Sequence, residues 1–494
     1  MIDFSRRAFL GAAAGFAAMP VGAQTGAPIV ESAAGRFRGT LDNGIRRFLG
    51  IRYGEAARFQ APAPARTSRD TVDALAYGPS SPQTGLPGLT KSEDCLYLNI
   101  WSPAVDRRAR LPVLIYFHGG AYSTGTANSP LLDGARLAAQ GNVVITVQHR
   151  LNAFGYLYLA RLDPRFADSG NAGQLDLILA LQWVRANIAA FGGDPGKVTV
   201  FGQSGGGAKI ATLMGTPAAI GLFHRAWTMS GQQVTASGPQ NATRRTRAFL
   251  ERLGNPALDA LVAMPAERLT EGLAATDPIL GGSVYFGPVL DMTWLVRHPF
   301  WPDANPQSNA IPMVLGNTHD ETRAFYPPNH RLLAGLDWTN LAERIGPELR
   351  IDAHPDWAVR EYRRLFPAYS PEQIFFAATT AGRSWRAQLI EAEERARAGA
   401  PAFVYQLDFP RPAPHASDIP LVFGTFTDPA ARPVSAAMTT AFLRFARTGN
   451  PGWPAYTLPR RRTMIFDSMP RLEDDPRRGE RELFARIPYV QPGT

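Results

Sequence analysis

Four kinds of residue in this chain could together cleave an acyl bond. They are a serine on a glycine corner, a glycine run able to gather backbone amides, and a histidine and an acid late in the sequence. The serine is Ser204, in Gly202-Gln203-Ser204-Gly205-Gly206. The apolar stretch Val198–Phe201 before it reads as a buried strand, and Ala208–Met214 after it as a helix. Glycines at such a corner turn the chain from strand to helix with no Cβ in the way and leave the hydroxyl exposed. That hydroxyl is a poor nucleophile at neutral pH. It needs a base, a group to orient the base, and donors for the oxyanion.

The donors are expected in Phe117-His118-Gly119-Gly120-Ala121, directly after an apolar strand. There the N–H groups of Gly119 and Gly120 can converge with that of Gly205 on one oxygen. The base should be a late histidine, because a nucleophile elbow of this kind is followed by acid and then histidine. His415 fits, in the loop 411–417 directly after the strand Ala402–Leu407. The acid should end another strand. Ile311–Leu315 leads into Gly316-Asn317-Thr318-His319-Asp320-Glu321, where spacing does not choose between Asp320 and Glu321 and leaves His319 open as a second candidate base.

The elements that must position these groups are legible in outline. Residues 28–53 alternate around Asn43-Gly44, a hairpin signal. Short strands are predicted at Leu96–Trp101, Val113–Phe117, Val143–Val147 and Arg225–Met229, and a helix at Gln174–Ala190. Strands interleaved with helices predict an α/β fold with a mostly parallel sheet covered on both faces. Residues 24–494 read as one domain, with helical insertions at about 235–310 and 325–400 that wall the cleft.

Composition narrows the partners. The net charge is +9, carried almost wholly by dispersed arginine, with lysine only at Lys91, Lys197 and Lys209. A nucleic-acid binder would show a clustered basic stripe, and the one dense run, Arg460-Arg461-Arg462, lacks interleaved aromatics. The single cysteine, Cys95, excludes an intrachain disulfide and any cysteine-based metal site. No metal or organic cofactor is called for. At the N-terminus, Ser5-Arg6-Arg7-Ala8-Phe9-Leu10 and the apolar stretch to Ala18 read as a twin-arginine export signal, cleaved near Ala23. The apolar run falls well short of the ~20 residues a membrane span needs, so the mature chain is expected to be periplasmic or secreted, without stable membrane insertion. The oligomeric state is not legible.

Two longer motifs resemble the type-B carboxylesterase family, which includes the cholinesterases, and in particular its bacterial para-nitrobenzyl-esterase-like members. Phe191–Gly206 is similar to the family's active-serine signature, and Glu93–Pro103 to its second signature at every position. The resemblance runs from about Pro28 to about Phe466 and includes Gly170–Gly173 and Arg447–Pro451. It implies an α/β-hydrolase fold and cleavage of small carboxylic esters through an acyl-enzyme. It places the family's acid on Glu321, its histidine on His415 and a supporting serine on Ser230. Acyl transfer, amide or lactone cleavage with the same groups, and a non-catalytic binding module, are the rival readings. Several positions depart from the family. Gln203 stands where relatives often have glutamate, and removal of that charge is expected to lower the pKa of the base. Ser81 stands where relatives have the cysteine that pairs with Cys95. The same loop has no tryptophan, which argues against choline esters, and Ala121 replaces a glycine or aromatic. Tyr122, Val284, Tyr285 and Phe286 are the expected acyl-side wall, the last three beside the family-like Gly287–Asp291.

Overall fold

The computed structural model describes residues 26–489, so the expected export signal lies outside the described residues. The centre is an eleven-stranded sheet. In chain order its strands are β1 (Thr40–Asp42), β2 (Ile45–Arg52), β3 (Tyr97–Ser102), β4 (Leu111–Phe117), β5 (Val143–Val147) and β6 (Gly193–Gln203). They continue as β7 (Arg225–Met229), β8 (Met313–Thr318), β9 (Ala402–Leu407), β10 (Arg462–Phe466) and β11 (Arg471–Asp474). Across the sheet the order is β11-β10-β9-β8-β7-β6-β4-β5-β3-β2-β1. From β5 to β10 every pairing is parallel, and antiparallel strands close both edges. The β1–β2 hairpin turns at Asn43-Gly44, with φ of 49° and 79°, the two positive values that a tight hairpin requires.

The sheet is buried on both faces because its central strands are apolar throughout. Along β4, Val113, Ile115 and Phe117 point into one hydrophobic layer and Leu114 and Tyr116 into the other. Helices Ala172–Asn187 and Gly205–Met214 cover the first layer, and Arg432–Thr448 covers the second. Two strands beyond the expected set, β10 and β11, extend the sheet past β9. β8 starts two residues later than the apolar run suggests, because Ile311 and Pro312 belong to the approach loop.

Both stretches expected as insertions carry helices, Pro239–Arg252, Leu258–Ala263 and Ala266–Gly272 in one, and Leu341–Leu349, Pro355–Leu365, Pro371–Thr380 and Arg386–Arg397 in the other. Among the described residues no helix is long and apolar enough to cross a membrane. Cys95 is buried and unbridged, and Ser81, at the position where the family resemblance implies a cysteine, instead accepts from the Leu151 amide at 3.2 Å.

Candidate active site

Ser204 sits at the junction of β6 and helix Gly205–Met214 with φ 56° and ψ −126°. A non-glycine residue in that region is strained, and its neighbours hold it there. Its amide donates to the Met229 carbonyl on β7 at 2.7 Å. A Cβ on Gly205 would lie 1.9 Å from the Ala121 oxygen, and one on Gly206 1.9 Å from the Phe117 oxygen. The glycines therefore let the elbow press directly against the loop after β4. Ala121, Ser230 and Ala416, on three other loops of the site, also have positive φ, so the strain is concentrated where these loops meet.

Glu321 is wholly buried just after β8. One carboxylate oxygen, Oε1, accepts from the Thr318 amide at 2.8 Å, the Asn317 side chain at 3.1 Å and the Ser230 hydroxyl. The other, Oε2, faces Nδ1 of His415 within hydrogen-bonding distance. Burial pulls the His415 pKa down, but the Glu321 carboxylate more than offsets it, and the result lies above the usual imidazole value. Asp320 is turned elsewhere. Its carboxylate meets His319 Nδ1 at 3.0 Å and the Ala413 amide at 3.1 Å. Asp320 and His319 open on a separate cavity of about 570 Å³, not on the one that holds Ser204. Geometry thus separates the two acids that spacing left open.

Nε2 of His415 does not meet the serine hydroxyl in this structure. It accepts instead from the Gln203 side-chain amide at 3.0 Å, which fixes the neutral ring with its proton on Nδ1. Ser204 and His415 nonetheless line one cleft of about 500 Å³. The opposite wall is the loop after β4. Among the described residues the amides of Gly119, Gly120 and Gly205 have no hydrogen-bond acceptor. A Cβ on Gly119 would lie 3.2 Å from Ser204 Cβ, so this loop abuts Ser204.

The rest of the cleft corrects part of the expected acyl wall. Tyr122 and Tyr285 line it, their rings 6.3 Å apart. The Tyr122 hydroxyl is held by Gln233 Oε1 at 2.9 Å. Val284 and Phe286 point away into the hydrophobic cluster around Phe249, whose ring lies 5.6 Å from that of Phe286. Successive residues of an extended segment face opposite sides, so a wall built from Tyr285 excludes both its neighbours. Phe325, Arg350, Arg383, Gln232 and the 280–283 loop also line it, and sequence reasoning missed all of them. Phe325 stacks obliquely on His415 at 5.1 Å. Asp418 was missed too. It is buried three residues after His415, accepts from the Tyr405 hydroxyl at 2.8 Å, and burial raises its pKa to about 6.

A parallel sheet with a strained serine at a strand-to-helix corner, beside a buried carboxylate–imidazole pair, defines an α/β-hydrolase-fold serine hydrolase. A family model described as the carboxylesterase family matches residues 26–343. The chain is 35% identical over 506 residues to the para-nitrobenzyl esterase of Bacillus subtilis (strain 168), covering 92% of this chain and 98% of that one. It is 29% identical to the liver carboxylesterase of Sus scrofa over 87% of this chain and 88% of the relative. The solved carboxylesterase of Geobacillus stearothermophilus matches with a TM-score of 0.84 and 34% identity, covering 92% of this chain and 99% of that one. The chain belongs to the carboxylesterase family and is a carboxylic ester hydrolase.

Proposed function

We propose that Ser204, His415 and Glu321 carry ester hydrolysis through an acyl-enzyme. The observation that carries this reading is the cleft lined by strained Ser204, Gly205, Glu321 and His415, with the Gly119 backbone packed against Ser204. As the Ser204 hydroxyl attacks the ester carbonyl, His415 Nε2 takes its proton, and Glu321 holds the ring and balances the imidazolium charge. The Gln203 amide must leave Nε2 for that transfer. The amides of Gly119, Gly120 and Gly205 receive the oxyanion. His415 then protonates the leaving alcohol, and water activated by the same ring releases the acid. Tyr122, Tyr285 and Phe325 offer aromatic surface to the substrate, which suits small esters with an aryl group. The para-nitrobenzyl esterase among the relatives supports that preference. A nitrophenyl ester should give a burst of nitrophenol matching the enzyme concentration. Ser204→Ala should abolish the burst and lower kcat about a millionfold. A Ser204→Ala protein with ordinary turnover contradicts the reading.

The same reading includes export. Arg6-Arg7 and the apolar stretch behind them support twin-arginine transport to the periplasm or beyond. Arg6→Lys with Arg7→Lys should retain the protein, uncleaved, in the cytoplasm on fractionation. Unchanged export of that variant overturns this part.

A further inference from the structure

Lys209 is a buried lysine that the mechanism above does not use. Lys209 lies five residues after Ser204 on helix Gly205–Met214 and is fully buried. Its Nζ donates to the carbonyl oxygen of His118 at 3.0 Å. The other groups facing it are the Tyr122 ring, 5.6 Å from Nζ, and the stacked imidazoles of His118 and His149, whose centroids are 4.5 Å apart. Among the described residues no carboxylate forms an ion pair with it. A buried ammonium without a counter-charge costs stability. Burial pulls its pKa down to about 7.

We propose that Lys209 is a positioning residue of the oxyanion hole, which fixes and polarises the peptide unit that carries the Gly119 N–H. The His118 carbonyl and the Gly119 N–H are two ends of one planar peptide. A cation on that oxygen draws electron density from the nitrogen and strengthens the hydrogen bond the N–H gives. The positive charge and the developing oxyanion stand at opposite ends of the same dipole in a site of low dielectric, where their attraction is strong. Because the oxyanion exists only as the transition state forms, the effect falls on kcat and leaves KM nearly unchanged. The inference rests on the reading of Gly119 as an oxyanion donor.

The test compares the parent with Lys209→Met and Lys209→Gln, the second keeping a neutral donor should the first fail to fold. Each is acylated with a slowly released ester labelled with ¹³C at its carbonyl, and the infrared carbonyl band of the acyl-enzyme is recorded beside kcat and KM. Below pH 7, where Lys209 holds its proton, Lys209→Met should lower kcat about 10- to 100-fold, with KM within about threefold, and move the band to higher frequency, and the gap to the parent should narrow as pH rises past that value. Lys209→Gln should fall between it and the parent. A folded variant with unmoved band and unchanged kcat overturns the role of Lys209, and so does a loss confined to KM. A parent that forms no acyl-enzyme instead overturns the underlying assignment of Ser204.

Discussion

The two sides of Ser204 are built on opposite principles. On the proton-transfer side the Glu321 carboxylate and both nitrogens of His415 are engaged in the resting state. Glu321 accepts from Ser230, Asn317 and Thr318 and faces His415, whose far nitrogen takes the Gln203 amide. On the other side, among the described residues, the amides of Gly119, Gly120 and Gly205 have no acceptor and the buried Lys209 has no carboxylate partner. The first side is held by hydrogen bonds it already makes. The second is held by close backbone contact at Gly205 and Gly206, and in the proposed mechanism its hydrogen bonds are reserved for charge that appears during reaction. Donors preorganised without a partner are stabilised only by the oxyanion, which is what lowers a barrier rather than a ground state.

This contrast can be broken from either side. The largest effect is expected from Glu321→Gln, whose amide would donate to Nδ1 and leave the ring's proton on Nε2, where it cannot act as base. Turnover should fall ~10⁴-fold with the fold intact by circular dichroism; a loss under tenfold would show that Glu321 does not set the tautomer. Gly205→Ala attacks the other side. Its Cβ would lie 1.9 Å from the Ala121 oxygen, so the two loops must part and one donor is lost. A fall in kcat of ~10²- to 10³-fold is expected, with substrate affinity little changed.

Smaller effects sharpen the comparison through pH. The imidazole of His415 must be neutral to act as base, so kcat/KM should rise with pH through a midpoint above the ordinary histidine value. Gln203→Glu sets a carboxylate beside Nε2, favours the imidazolium and should move that midpoint further up; an unmoved midpoint counts against any influence of residue 203 on the base. Stability should carry opposite signatures on the two sides. The raised pKa of His415 gives a contribution that is complete below about pH 6.5 and fades as pH rises through its folded value. The lowered pKa of Lys209 means the unfolded chain binds more protons between about 7 and 10.5, so stability should climb across that range. Lys209→Met should flatten the climb in denaturant midpoints measured from pH 7 to 10.

The elbow, the oxyanion loop and the histidine loop were legible because each depends on local chain chemistry: glycine at a corner, glycine after a strand, histidine after the next strand end. Glu321 and Asp320 were not separable by spacing, since both follow β8. Only the direction of each side chain distinguishes them, and that direction is set by the Ala413 amide and His319 on one side and by Ser230 on the other. Val284 and Phe286 were misplaced for a related reason. Hydrophobicity marks them as buried, but which face of an extended insertion meets the cleft is decided by distant packing against Phe249. Lys209 left no signal at all, because one lysine in a helix reads as a surface residue until the structure shows it at the back of the His118 peptide.

The most direct test is peptide mapping of the folded protein after reaction with a fluorophosphonate. One adduct should form, on the peptide that contains Ser204, and Glu321→Gln should slow its formation without moving it. An unlabelled protein that is demonstrably folded, or an adduct on a different serine, would contradict the account.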